Sequence, residues 1–368
     1  MARHNAGLFL GLVSFCIIGV AAAAPARDGD PVAMPVAAET VRADALSGSR
    51  IATLAATKID PSCAGLSEPI QLSAAGGYLP DMAIDHFGRT HVVWSGDDFF
   101  VWYAQVGPEG TITIPAVKVY DNARTTFPRI AVDSAGDAHI ITTSSSSSVP
   151  IYLKIHNGTR VLLTVFTIFT PTGLYTEQAF WPSIAVDTVT NLPVIAAEVH
   201  ASITVSIGGF PITRYDNYIS VLTLDKIGNP IRSSRWDAYS LLGTSSSSDR
   251  AQKPNVAVDS LGRSHAVWLH RDPAWAGYSV GYANQAGSSW VEIANTRNVA
   301  GLSLGPPNIA ISSNHLIEVV WATGHQKVVW QEMSREGLPK GANLIVSQPA
   351  ARASRPKIAA GYGNVFFG

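Results

Sequence analysis

Four aspartates are placed for acid–base work: Asp81 directly after Pro80, Asp97 and Asp98 in "SGDDFF", and Asp272 in "LHRDPAWAGY". Cleavage of a glycosidic bond needs two carboxyl groups across it, one as acid and one as nucleophile or base, and these four are the candidates for that pair. A second set suits the holding of a ligand: Tyr78, Arg129, Trp181, Lys253, Asn255, His270, Arg271, Asn308, His325 and Lys357. Aromatic faces stack on sugar rings, while arginine and carboxylate groups bind hydroxyls or an acid group. His270 or His325 beside a tyrosine would also serve as base and acid in a lyase. The alternative for the whole set is an ordinary polar rim. No metal and no cofactor is expected.

A different row of acids and histidines looks reactive and reads otherwise. Asp85, Asp133, Asp187 and Asp259 each precede a short turn, and His91, His139 and His265 follow it. An aspartate followed by a two-residue gap and glycine is the usual turn former, accepting the backbone N–H groups that the tight turn leaves open. The third copy has Pro193 where histidine is expected, and the fifth has Ser312 and Glu318. A role that survives such edits is turn chemistry and packing.

The elements that must position these residues are repeats. Six phrases align on Pro80, Pro128, Pro182, Pro254, Pro307 and Pro356, as in "LPDMAIDHFGRTHVVW" and "KPNVAVDSLGRSHAVW". Steps of 48, 54, 72, 53 and 49 residues are the size of one propeller blade. Each copy predicts a hairpin, then a third strand such as "FFVWYAQV" and a fourth such as "AVKVYDN". The long third step holds an insertion, roughly "HASITVSIGGFPITRYDN". The expected fold is an all-β propeller of four-stranded blades, six or more in number, with the last one incomplete. Residues flanking each proline then ring one mouth of the channel, where the copies disagree in chemistry while their scaffold does not.

Composition sets the limits. Only 14% of the 368 residues are charged and 46% are hydrophobic, with a formal net charge of -1, so nothing would attract a nucleic acid backbone. Residues 1–26 have the form of a secretory signal peptide, with no membrane span expected after its removal. Residues 27–66 read as a lead-in and 67–368 as the propeller. Cys63 would then stand alone, so no intramolecular disulfide is expected. The serine runs at 144–148 and 245–248 read as loop tips. A secreted, extracellular or periplasmic protein is implied.

The phrase Pro-x-Ile-Ala-Val-Asp-x-x-Gly-x-x-His-Val-Val-Trp, followed by a tyrosine-rich strand, resembles the BNR or Asp-box propellers of the sialidase-like superfamily. The nearest counterpart of the family's Asp box is "ANQAGSSW", which keeps Gly287 and Trp290. "FPRI" at 127–130 has the letters of the family's first arginine stretch in another order, and no catalytic set matches position by position. The resemblance implies a propeller that binds carbohydrate, and cleaves it if paired carboxylates face one pocket. The alternative is a non-catalytic scaffold, adhesin or lectin whose partner is an extracellular protein or a surface glycan.

Overall fold

The computed structural model describes residues 70–73, 76–165, 175–207, 210–242, 251–271, 278–285, 290–295, 305–323, 327–347, 356–361 and 364–367. The signal peptide and lead-in, Cys63, the serine run at 245–248, Asp272 and His325 lie outside them. Two compact units divide the chain, Met1–Gln71 and Leu72–Gly368, and every strand among the described residues belongs to the second.

The alternating apolar runs form strands, and no helix occurs among the described residues. The first blade holds β1 (Gly77–Ile84), β2 (Thr90–Gly96), β3 (Val101–Val106) and β4 (Ile112–Tyr120). The second holds β5 (Thr125–Val132), β6 (Ala138–Ser144), β7 (Pro150–His156) and β8 (Thr159–Val165). The third holds β9 (Tyr175–Asp187), β10 (Leu192–Ile207), β11 (Phe210–Leu224) and β12 (Pro230–Leu242). In the fourth are β13 (Ala251–Val258), β14 (Ser264–His270), β15 (Ser279–Asn284) and β16 (Val291–Asn295). The fifth has β17 (Asn308–Ile311), β18 (Ile317–Ala322), β19 (Val328–Met333) and β20 (Leu344–Ile345), and the sixth sheet has β21 (Ile358–Gly361) and β22 (Asn364–Phe367). Strands pair antiparallel in chain order within each sheet. The first strands pack side by side, β1 on β5, β5 on β9, β9 on β13, β13 on β17 and β17 on β21. This is the β-propeller of four-stranded blades expected from the repeat, and the 200–217 insertion lies in the lengthened β10–β11 hairpin.

The repeated aspartates and histidines are buried hydrogen-bonding groups. Asp85 Oδ1 accepts the N–H of Phe87 and of Arg89, each at 2.9 Å, and Oδ2 accepts from His91 Nε2 at 3.1 Å. His91 Nδ1 in turn lies 2.8 Å from the Tyr103 hydroxyl. The second blade repeats this with Asp133, His139 and Tyr152, and the fourth with Asp259, His265 and Tyr282. Burial drives the His91 and His265 imidazoles below their ordinary range; a neutral His91 ring accepts the Tyr103 hydroxyl at Nδ1 while donating from Nε2 to Asp85, whereas His265 Nε2 stands 3.4 Å from Asp259 Oδ2.

The third and fifth blades keep the geometry with other residues. Pro193 pairs with Val186, and Val194 pairs with Ala185, which is where His265 pairs with Ala257 in the fourth blade. The structural counterpart of histidine is therefore Val194, because this turn is one residue out of step with its copies. Thr190 Oγ1 donates to Asp187 Oδ2 at 2.6 Å. In the fifth blade Glu318 takes the histidine position and accepts from Trp330 Nε1 at 2.8 Å.

Glu318 is 2% exposed, and burial pushes its carboxyl up to about 7. A folded-state value above the unfolded one means that its contribution is full below about pH 4.5 and is lost as the pH rises through 7. Glu318→Gln keeps an acceptor for Trp330 without the buried charge. Urea denaturation is expected to find it about 2 kcal/mol more stable than the parent at pH 8 and equal to it at pH 4.

Every inner strand of the first four blades bends at its proline. Leu79, Phe127, Trp181 and Lys253, the residues before those prolines, have φ of 53°, 55°, 47° and 51°. Proline has no N–H for the ladder, so two residues bulge out opposite one. Leu79 and Pro80, for example, lie between the pairs Tyr78–Ser95 and Asp81–Val93.

Candidate ligand-binding site

The bulge frees the pre-proline side chain from the alternation of the strand, and three successive blades use this to build one row. The Phe127 and Trp181 rings lie 4.0 Å apart between centroids, and Lys253 Nζ lies 5.2 Å from the Trp181 centroid. Next to them is a cavity of about 400 Å³ lined by Phe180, Trp181, Glu198, His200, Gln252, Lys253 and Tyr278. Its lining comes from β9 and β10 of the third blade, β13 of the fourth and the approach to β15. That volume suits a small polar ring or two.

Glu198 organises the cavity from β10. Its side chain is 6% exposed, Oε1 accepts from His200 Nε2 at 2.7 Å, and Oε2 accepts the Lys253 N–H at 3.1 Å. Both oxygens are therefore used in positioning, one for the imidazole and one for the bulge that carries Lys253. The His200 ring meets Phe180 edge to face at 5.0 Å. The Arg271 guanidinium lies 5.8 Å from the ring centroid of Tyr278, a lining residue. The arrangement combines aromatic walls, two cationic side chains and a carboxylate-held histidine, which can grip a ring and its acid group and can move a proton.

Trp181 and Lys253 are the residues expected from the sequence that line this cavity, with Arg271 beside it. Asp81 belongs to a second cluster: its Oδ2 accepts the Ile130 N–H at 3.2 Å, and its Oδ1 lies 3.9 Å from Arg129 and 3.5 Å from Lys357. Asn308 Oδ1 likewise accepts the Ile358 N–H at 3.4 Å, and Ser183 Oγ accepts the Val256 N–H at 3.2 Å while donating to Asn255. Post-proline side chains thus clasp the first strand of the next blade. Asp98 accepts from Trp102 Nε1 and pairs with Lys118 at 2.7 Å. Burial alone would raise the Asp98 carboxyl, but Lys118 and Trp102 hold it below its ordinary range. Tyr78 packs edge-on to Phe99 at 5.5 Å, and burial together with Asp97 and Asp98 raises its hydroxyl. His270 is buried, with its ring 4.5 Å from that of Trp290. Among the described residues one carboxylate, Glu198, lines the cavity.

Phe180, Glu198, His200, Gln252 and Tyr278 are cavity residues that the repeat pattern does not single out. For Glu198 and His200 the one signal is the third copy's departure from the repeat, which begins within "AAEVH"; Gln252 and Tyr278 belong to the fourth copy, which keeps the repeat.

Fold and site together define a β-propeller with an aromatic-walled polar cavity at the junction of its third and fourth blades. No family model matches the chain, and no curated protein matches it. Among solved structures it is similar to the Hadza microbial sialidase Hz136, with a TM-score of 0.47 and 10% identity over 78% of this chain, which spans 61% of that one. It is also similar to a polysaccharide lyase, the PL25 ulvan lyase, with a TM-score of 0.47 and 10% identity over 79% of this chain and 77% of the other. A third is the GH93 α-L-arabinofuranosidase of Fusarium graminearum, with a TM-score of 0.43 and 12% identity over 77% of this chain and 84% of the other.

Proposed function

We propose that the protein is a secreted carbohydrate-binding propeller, a divergent relative of the Asp-box propellers, that takes an acidic sugar in the cavity between its third and fourth blades. The observation that carries this is the Phe127–Trp181–Lys253 row: aromatic rings of the kind on which a sugar stacks, with the Lys253 ammonium over the Trp181 ring, 5.2 Å from its centroid, as a cation for a carboxylate. Arg271, stacked on Tyr278, supplies a second cation. A glycan array probed with the secreted chain tests the proposal. Retention of uronate- or sialate-bearing glycans is the expected result, and an array that retains none overturns it.

The Glu198–His200 pair favours a second reading, in which the bound sugar is also cleaved. A carboxylate on one imidazole nitrogen orients the ring so that the other can take or give a proton. His200→Ala would then abolish release of product while leaving retention on the array unchanged. A parent chain that releases no product from any retained glycan leaves the binding reading alone.

A further inference from the structure

The four strands of the third blade run 13, 16, 15 and 13 residues, while those of the other four-stranded blades run from 2 to 9. The surplus lies past the cavity. Cross-strand partners share a face of the sheet. Phe180 lies opposite Glu198 and Gln178 opposite His200, while Tyr215 lies opposite Ser202 and Thr213 opposite Thr204. Glu198, His200, Ser202 and Thr204 alternate along β10 and therefore project from one side. The residues between them, Val199 and Ala201, are buried in a cluster with Ile141 and Tyr152 of the second blade. The face that carries the cavity's histidine thus points away from the second blade and continues beyond the cavity for six residues, about 20 Å at the usual strand rise.

That continuation is made of hydroxyls. Above His200 it presents Ser202, Thr204, Thr213 and Tyr215, partly exposed, with Thr204 Oγ1 and Thr213 Oγ1 2.9 Å apart. It has donors and acceptors for sugar hydroxyls and, in those four residues, no charge to draw a polyelectrolyte. Its continuity with the cavity decides the occupant.

We infer that the extended third blade turns the cavity into the end of a cleft for an oligosaccharide chain, with one acidic unit on Trp181 and later units along the Ser202–Tyr215 and Thr204–Thr213 rungs. This rests on the carbohydrate reading above. The test is fluorescence titration of the full chain with mono- to hexasaccharide ladders of galacturonan and of chondroitin. The hexasaccharide of a bound ladder is expected to bind about tenfold or more tighter than its disaccharide, a difference of about 1.4 kcal/mol. Thr213→Val with Tyr215→Phe is expected to erase that gain while leaving disaccharide affinity and the melting temperature unchanged. If the double variant melts early, Tyr215→Phe alone is titrated in its place. Equal affinity for disaccharide and hexasaccharide, with both lost in Trp181→Ala, overturns the cleft and leaves the cavity reading standing. Failure of every ladder to bind overturns the cleft for uronate chains, while the glycan array alone decides the cavity reading.

Discussion

Trp181→Ala is expected to weaken glycan binding about a hundredfold, roughly 2.7 kcal/mol. The indole is the largest ring in the cavity wall, and it is held by Phe127 at 4.0 Å between centroids and by the Lys253 ammonium over the ring at 5.2 Å. Alanine removes the surface on which a sugar ring would stack and also the partner that fixes the lysine. Stacking and cation–π terms of about 1 kcal/mol each, with the apolar area lost, account for an effect of this size. Trp181→Phe should recover about half of it. Calorimetric titration decides the matter: an affinity within threefold of the parent would exclude Trp181 as the floor of the site. The residue sits on a bulge outside the ladder, so thermal melting should barely change.

Asp133→Ala is expected to have the opposite profile, destabilising the propeller by about 4 kcal/mol. Asp133 is 6% exposed and gathers four donors: the N–H groups of Ala135 and Asp137, each at 2.9 Å, His139 Nε2 at 3.0 Å and Lys154 Nζ at 3.3 Å. Burial alone would raise its carboxyl. The bonds from His139 and Asp137, with the charge of Lys154, hold it far below the usual carboxylate range. Alanine leaves those donors in a space that water does not fill easily. Asp133→Asn retains an acceptor for the turn and should lose about half as much. Guanidinium denaturation followed by tryptophan fluorescence measures both, and a loss under 1 kcal/mol for alanine would mean that the turn does not depend on this side chain.

The contrast between these two residues shows what could be read from the sequence. Asp133 recurs with a histidine six residues later because each blade must close the same turn, so repetition marks it as structural. Trp181 was visible for the converse reason, as a pre-proline residue whose chemistry changes from copy to copy. Glu198 and His200 were hidden by a register effect. The Asp187 turn differs by one residue from its copies, so alignment on Pro182 assigns each β10 residue to its neighbour's position. Asp81 and Asn308 have a structural use that the sequence does not show, since a polar side chain after proline suggests only a ligand contact. In the folded chain their oxygens cap a backbone N–H of the next blade. Pattern alone cannot distinguish these uses, because the partner lies about fifty residues away and is a main-chain group.

The left-handed backbone at Leu79, Phe127, Trp181 and Lys253 has a consequence for how such a molecule can change. Glycine suits that conformation, whereas a side chain there costs about 1–2 kcal/mol. Four bulky residues thus hold about half of a typical domain's stability margin as latent strain, all of it on the bulges of the inner strands. The rim can be rewritten residue by residue without disturbing the buried interior, and a glycine at Leu79, outside the cavity, would harden the scaffold while leaving recognition intact.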